Sequence, residues 1–266
     1  MIAELRQNLV EKLGNVPNLL GAIEFGSATT GEENHGDYDF LVVSDSEFVI
    51  PRTFYEQIGR IYSEIFEGFR FPLDIIVTDK SMPSTLFSTI GLGIRNHFQR
   101  YSKVLVGSDV SKIFTDSFYD HKDDYDKLQY EALHHLAWGL KDRRFEAVKI
   151  DYLKNHEKSR FGEVVRTGVK LRNYCSNAAI FEEQARELNE GFEMFKRTYK
   201  QRALSFVEGN SFRYLEEMES IQQNAKQTRD DKEKIDLFFR ALAFREKLLV
   251  LLYGKHREFM GFKSFY

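Results

Sequence analysis

The 266-residue sequence predicts an α+β protein: a mixed α+β domain over residues 1–115, then an all-α helical bundle over 116–266. Three observations lead there. Short apolar runs bounded by turn residues recur at 19–25, 38–43 and 73–78, the signature of buried strands. From about 121 to 256 only helical periodicity is found. The chain holds only four prolines, which suits long uninterrupted helices.

In order, Ile2, Leu5, Leu9 and Leu13 share helical spacing, ended by Gly14 and Pro17. The run LLGAIEF at 19–25 reads as a strand, followed by a turn-rich stretch from Gly26 to Gly36. YDFLVV at 38–43 is the next strand. Pro51 starts a helix that reaches about Phe66, and LDIIVT at 73–78 is the third strand. One or two helices fit between Pro83 and Tyr101, and KVLVGSD at 103–109 closes the region. The helical part divides into roughly 122–139, 142–156, 160–187, 189–224 with a break near Gly209, and 230–254.

Composition narrows the function classes. Hydrophobic residues are 42% and charged residues 30%, which predicts a packed core and not disorder. The single cysteine, Cys175, excludes an internal disulfide and a cysteine-based zinc site, and fits a reducing, cytoplasmic setting. The N-terminal stretch lacks the apolar core of a signal peptide, and no run of about 18 apolar residues predicts a membrane span. Net charge is −3, but unevenly spread: residues 1–110 carry −6 and the remainder +3. The acidic and basic halves meeting around a metal–nucleotide complex is one account, and ordinary surface variation is the other.

Chemistry concentrates in three places. Gly26-Ser27 follows the first strand, Asp37-Tyr38-Asp39 opens the second, and Asp74 lies at the start of the otherwise apolar third. Side chains alternate along an extended chain, so Asp37 and Asp39 project on one face. Adjacent carboxylates repel unless a cation neutralises them. Mg²⁺ prefers such hard oxygen ligands and shares its remaining positions with substrate phosphates. If the third strand neighbours the second, Asp74 joins the pair, and three carboxylates are enough for two ions that stabilise an in-line displacement at phosphorus. Gly26 and Ser27 offer backbone N–H groups and a hydroxyl to phosphate oxygens. Each feature alone is commonplace; their order, each beside a strand, makes the site.

The string Gly26-Ser27, Asp37-x-Asp39 and Asp74 followed by Ile-Ile-Val resembles the DNA polymerase β-like nucleotidyltransferase superfamily, over roughly residues 18–110. It is similar to bacterial members that include the aminoglycoside nucleotidyltransferases, with Gly31 matching the last glycine of their Gly-Ser-x-x-x-Gly. The resemblance implies a small mixed β-sheet flanked by helices, with a C-terminal helical domain after it. It implies Mg²⁺, as a pair of ions on Asp37, Asp39 and Asp74, and an NTP substrate whose β- and γ-phosphates lie at Gly26 and Ser27. It also implies that Asp74 helps to deprotonate an acceptor hydroxyl. The loop between Ser27 and Asp37 is longer than is typical, and the arginine often found after Gly-Ser is missing. Triphosphate charge would then be met elsewhere, with Arg95, Lys103 and Lys170 as candidates.

Other residues have two readings each. Glu131 and His135 are spaced i, i+4 on a helix beside His134, which suits a metal site, an acceptor-activating base or a plain polar face. Glu131, Glu157 and Glu163 are candidate bases of the helical domain. His35 precedes Asp37 in a loop. Residues 141–172 hold ten Lys/Arg against five Asp/Glu, either a cleft lining for triphosphate or nucleic acid, or a solvated helix face. Gly91-x-Gly93 is too short for a dinucleotide fingerprint, and Cys175 reads as a small buried residue. Arg172-Asn173 lacks the following histidine that an RNase motif of this kind requires.

Three functions remain open from sequence. One is a nucleotidyltransferase with a small-molecule acceptor, of the antibiotic-resistance type. Another acts on tRNA or a protein hydroxyl, as toxin–antitoxin enzymes do. The third is a nucleotide-binding regulatory module without catalysis, against which the presence of all three acids speaks.

Overall fold

A computed structural model describes residues 2–30, 36–47, 49–80, 100–113, 127–171 and 212–259. The chain divides into two compact units, residues 1–120 with 141–162, and residues 121–140 with 163–266.

The first unit is built on a four-stranded mixed sheet of order β3-β2-β1-β4. Helix α1 (Ile2–Leu13) buries Leu5, Leu9 and Leu13, one row at i, i+4, i+8. Strand β1 (Leu19–Phe25) pairs antiparallel with both β2 (Tyr38–Ser44) and β4 (Lys103–Gly107). Between β1 and β2 lies α2 (Ser27–Thr30), a single turn inside the stretch that the sequence presents as turns. Helix α3 (Arg52–Phe69) then carries the chain to β3 (Leu73–Asp79), which pairs parallel with β2. A crossover helix is what a parallel pair requires. The interior strands are apolar runs because both faces are covered: β2 and β3 are buried throughout except at their second residues, Asp39 and Asp74.

Helix α4 (Lys127–His156) is one helix of 30 residues, not the two that a break near 140 would give. Gly139 is the weak point there, and a helix interior tolerates glycine at about 1 kcal/mol when neighbours such as Leu136 and Leu140 are buried. Residues 141–156 of α4 belong to the first unit. They lie so close to α3 that a Cβ on Gly59 would come within 2.6 Å of the Val148 carbonyl oxygen. The Tyr152 ring meets Tyr62 and Phe66 edge-on, with centroids 5.8 and 5.3 Å apart.

The same stretch of α4 sends Arg144 into the core. Its guanidinium donates to Asp79 Oδ2 at 3.1 Å and to Thr78 Oγ1 at 3.5 Å, and both charged side chains are fully buried. This ties the helix to the C-terminal end of β3.

In the second unit, α5 (Lys158–Gly168), which enters it at Glu163, stops at Gly168 instead of continuing toward 187. Two features of α7 (Asp231–Phe259) account for the stop. The Phe238 ring occupies the space beside Gly168, 2.3 Å from where a Cβ would sit. Arg245 donates to the Gly168 carbonyl at 2.5 Å and the Lys170 carbonyl at 3.1 Å, satisfying acceptors that a helix end leaves unpaired. Helix α6 (Phe212–Gln227) packs on α7 across a three-residue link, 228–230. Asp230 Oδ1 accepts from the Lys232 N–H at 3.0 Å, an N-terminal cap. Among the described residues, no helix is long and apolar enough to cross a membrane.

Replacing Arg144 with Met should cost about 3–5 kcal/mol, because Asp79 is left buried without its counter-charge. Urea unfolding measures it, and pairing the change with Asp79→Leu should recover most of the loss. A cost under about 1 kcal/mol for the single variant would show that the ion pair does not hold α4 to the sheet.

Candidate active site

The three sequence-predicted acids lie at the N-terminal entrances of β2 and β3. In the parallel ladder Asp39 is the register partner of Asp74, so the two share a face on strands about 4.8 Å apart. Asp37 sits in the bend immediately before β2, two residues from Asp39, and is exposed. On the other side Asp39 pairs with Phe25, the last residue of β1, which delivers Gly26 to its flank.

Gly26 is required there for two reasons. Its φ is +74°, a left-handed conformation that favours glycine. A Cβ at this position would lie 2.1 Å from Asp39 Oδ2, so the carboxylate occupies the space that any other side chain would fill. After it, α2 closes on itself: Thr29 Oγ1 donates to the Gly26 carbonyl at 2.8 Å and Thr30 Oγ1 to the Ser27 carbonyl at 3.1 Å. Ser27 thus opens a turn directly beside the acids.

Electrostatics report the crowding. Burial pushes the Asp39 carboxyl up to about 6, repulsion from Asp37 and then Asp74 adds to it, and Lys141 works against it. Two cations of α4 therefore matter that the sequence did not single out. Lys141 acts on Asp39. Lys149 is pulled down to about 8 by burial and by Arg160, and drawn back up by Glu146, Asp74 and Glu157. Its ammonium stands 3.5 Å from the centroid of the Phe145 ring, a cation–π contact. Lys141, Phe145 and Lys149 form one i, i+4, i+8 row of α4, a spacing readable in the sequence within the basic stretch 141–172.

The donor chemistry fits a hard divalent ion, with Asp39 and Asp74 on one face, Asp37 in the bend beside them, and Asp39 reluctant to ionise next to the other two. Among the described residues, no three acidic, histidine or cysteine side chains stand close enough as they are to hold a metal ion. A cation held by all three would require them to move closer together.

Of the other candidates, Glu157 pairs with Arg160 at 3.4 Å in the same unit as the acids, whereas Glu163 belongs to the second unit. Lys103 is exposed on β4, opposite Glu24 in the ladder, and Lys170 lies in the second unit. Gly31, His35, Gly91, Gly93, Arg95, Arg172, Asn173 and Cys175 lie outside the described residues, as do the side chains of Glu131, His134 and His135.

No protein-family model matches the chain, and no curated protein does. Among solved structures it is similar to spectinomycin adenyltransferase AAD(9) from Enterococcus faecialis, determined with ATP and spectinomycin. The match has 13% identity, covers 92% of this chain and 98% of that one, and has a TM-score of 0.34. A likeness that distant carries no weight for the chemistry, which rests on the residues themselves.

The raised Asp39 carboxyl has a consequence for stability. A folded-state value near 6, above the ordinary 3.8, means the native state holds the proton more tightly than the unfolded chain. Stability is then highest below about pH 4 for this group and is lost as pH rises through 6. Asp39→Asn should therefore stabilise the metal-free protein by about 1 kcal/mol above pH 6, after discounting for solvent screening at a half-exposed group. The gain should vanish near pH 4. Urea midpoints of both proteins across pH 4–8 measure it, and a destabilised variant at pH 7 would contradict the crowding.

Proposed function

We propose that this chain is a Mg²⁺-dependent nucleotidyltransferase that moves a nucleoside monophosphate from an NTP to an acceptor hydroxyl on a small molecule of the aminoglycoside type. The observation that carries the reading is the lateral pairing of Asp39 with Asp74, with Asp37 just ahead of them and the Gly26-Ser27 turn packed against the Asp39 carboxylate. The motif resemblance to bacterial aminoglycoside nucleotidyltransferases supports the small-molecule acceptor.

In this reading Asp37, Asp39 and Asp74 hold Mg²⁺. Bound there, the ion supplies the positive charge that offsets the triphosphate and the charge developing on the transferred phosphoryl group. The Gly26 backbone and the Ser27 hydroxyl face the β- and γ-phosphates. Lys141 and Lys149 supply charge in place of the arginine missing after Ser27, and both already act on the acids electrostatically. Asp74 receives the proton of the acceptor hydroxyl. The acceptor oxygen bonds to the α-phosphorus as the bond to the pyrophosphate oxygen breaks, and pyrophosphate leaves.

Incubation with each α-labelled NTP and Mg²⁺, against an aminoglycoside panel, total tRNA and cell lysate, tests this. Label should appear in the small-molecule fraction. Label in RNA or protein would move the acceptor to a macromolecule, and no transfer with no Mg²⁺-dependent NTP binding would overturn the reading. Asp37→Ala and Asp39→Ala should each lower kcat/KM by orders of magnitude with the fold intact, and full activity in either would contradict their assignment as metal ligands. Because Asp39 must be ionised to bind a cation, and its carboxyl sits near 6, activity at limiting Mg²⁺ should fall as pH drops below about 6.

A further inference from the structure

The face of the sheet opposite the acids carries a polar network that the proposed chemistry does not use. Glu24 is 1% exposed, and Tyr38 is fully buried. Arg6 Nε donates to Glu24 Oε2 at 2.7 Å, and the Tyr38 hydroxyl donates to the same oxygen. Arg6 is about a third exposed, so water screens its attraction to Glu24 and stability alone is a weak account of the network.

Its position supplies a better one. Tyr38 is the residue between Asp37 and Asp39. Side chains alternate along β2, so whatever fixes the Tyr38 ring on one face fixes the Asp39 carboxylate on the other, and Asp37 is joined directly to Tyr38 in the bend before the strand. The backbone N–H of Tyr38 also donates to the Pro72 carbonyl at 2.9 Å, two residues before Asp74. Tyr38 thus holds both strand entrances that carry the three acids: its own through the hydroxyl, and that of β3 through the main chain.

Resting on the cation-binding reading above, we infer that Arg6, Glu24 and Tyr38 form a positioning network that sets the spacing of Asp37, Asp39 and Asp74 from behind the sheet. The three are positioning residues and touch no substrate. Carboxylates that repel one another drift apart unless their backbone is held. A divalent ion with strict ligand geometry then binds in proportion to how well they are held.

Mn²⁺ titration of the full chain, followed by the loss of its free-ion electron paramagnetic resonance signal, reads this without requiring turnover. Tyr38→Phe keeps the ring and the main-chain bond but drops the hydroxyl, and it should weaken Mn²⁺ binding roughly tenfold, as loss of a ligand's supporting partner commonly does. Glu24→Gln and Arg6→Met, the latter at a third-exposed side chain and so a safer change for folding, should move the constant in the same direction. Circular dichroism checks the fold of each. Should wild type bind Mn²⁺ and folded Tyr38→Phe and Arg6→Met bind it equally well, the inference fails while the site stands. Should wild type fail to bind Mn²⁺ at all, the reading of the site falls and the inference falls with it.

Discussion

Everything chemical in the first unit depends on the register of one strand pair. β2 and β3 run parallel with Asp39 beside Asp74, and this alignment is what turns two acids 35 positions apart in the chain into neighbours. A slip of one residue would send Asp74 to the opposite face. The cost of the arrangement is visible in Asp39, whose carboxyl resists ionisation because it is both half-buried and crowded by like charge. A fold that keeps such a pair together holds an arrangement that is unfavourable until a cation or a proton relieves it.

The surrounding charges show where relief is arranged. Lys141 lowers the Asp39 carboxyl, and Asp74 helps keep Lys149 charged against its own burial. Cations on α4 therefore balance the carboxylates in part without neutralising them. Their geometry follows from the helix: two lysines separated by eight residues, with the Phe145 ring between them on the same row, span about 12 Å of helix length.

Much of this was legible in the sequence. The strands at 19–25, 38–43 and 73–78 could be read because a run buried on both faces is apolar throughout, and a lone Asp in such a run stands out. Alternation along an extended chain would put Asp37 and Asp39 on one face, but the strand begins only at Tyr38 and Asp37 lies in the bend before it. The partnership with Asp74 could be written only as a condition, since strand order is a tertiary fact. What the sequence hid was of two kinds. The continuity of α4 through 140 was hidden because Gly139 looks like a breaker in one dimension, whereas in the structure its neighbours Leu136, Ala137 and Leu140 are buried and the helix runs through it. The stop of α5 at Gly168 was hidden because its causes, Phe238 and Arg245, lie about 70 residues further along the chain. Glu24 gave no signal beyond being an acid in a strand, and Lys141 and Lys149 were lost among ten basic residues until burial and neighbours distinguished them.

The pinning of β2 against β3 explains why these buried polar groups sit where they do. At one end the Tyr38 N–H reaches the Pro72 carbonyl, and at the other the Lys80 N–H reaches the Ser44 carbonyl at 3.1 Å. Just inside that second end Arg144 clasps Asp79 and Thr78, and just inside the first the Tyr38 hydroxyl meets Glu24. Apolar side chains alone specify register weakly in two strands as uniformly hydrophobic as these, because a slipped pairing buries nearly the same surface. Directional bonds to charged partners do not survive a slip. Buried ionic groups add little net stability, yet a misaligned ladder would leave each of them unpaired, at several kcal/mol apiece. The polar groups at the two ends thus convert an ambiguous hydrophobic match into a single alignment, and that alignment is the one that sets Asp39 next to Asp74.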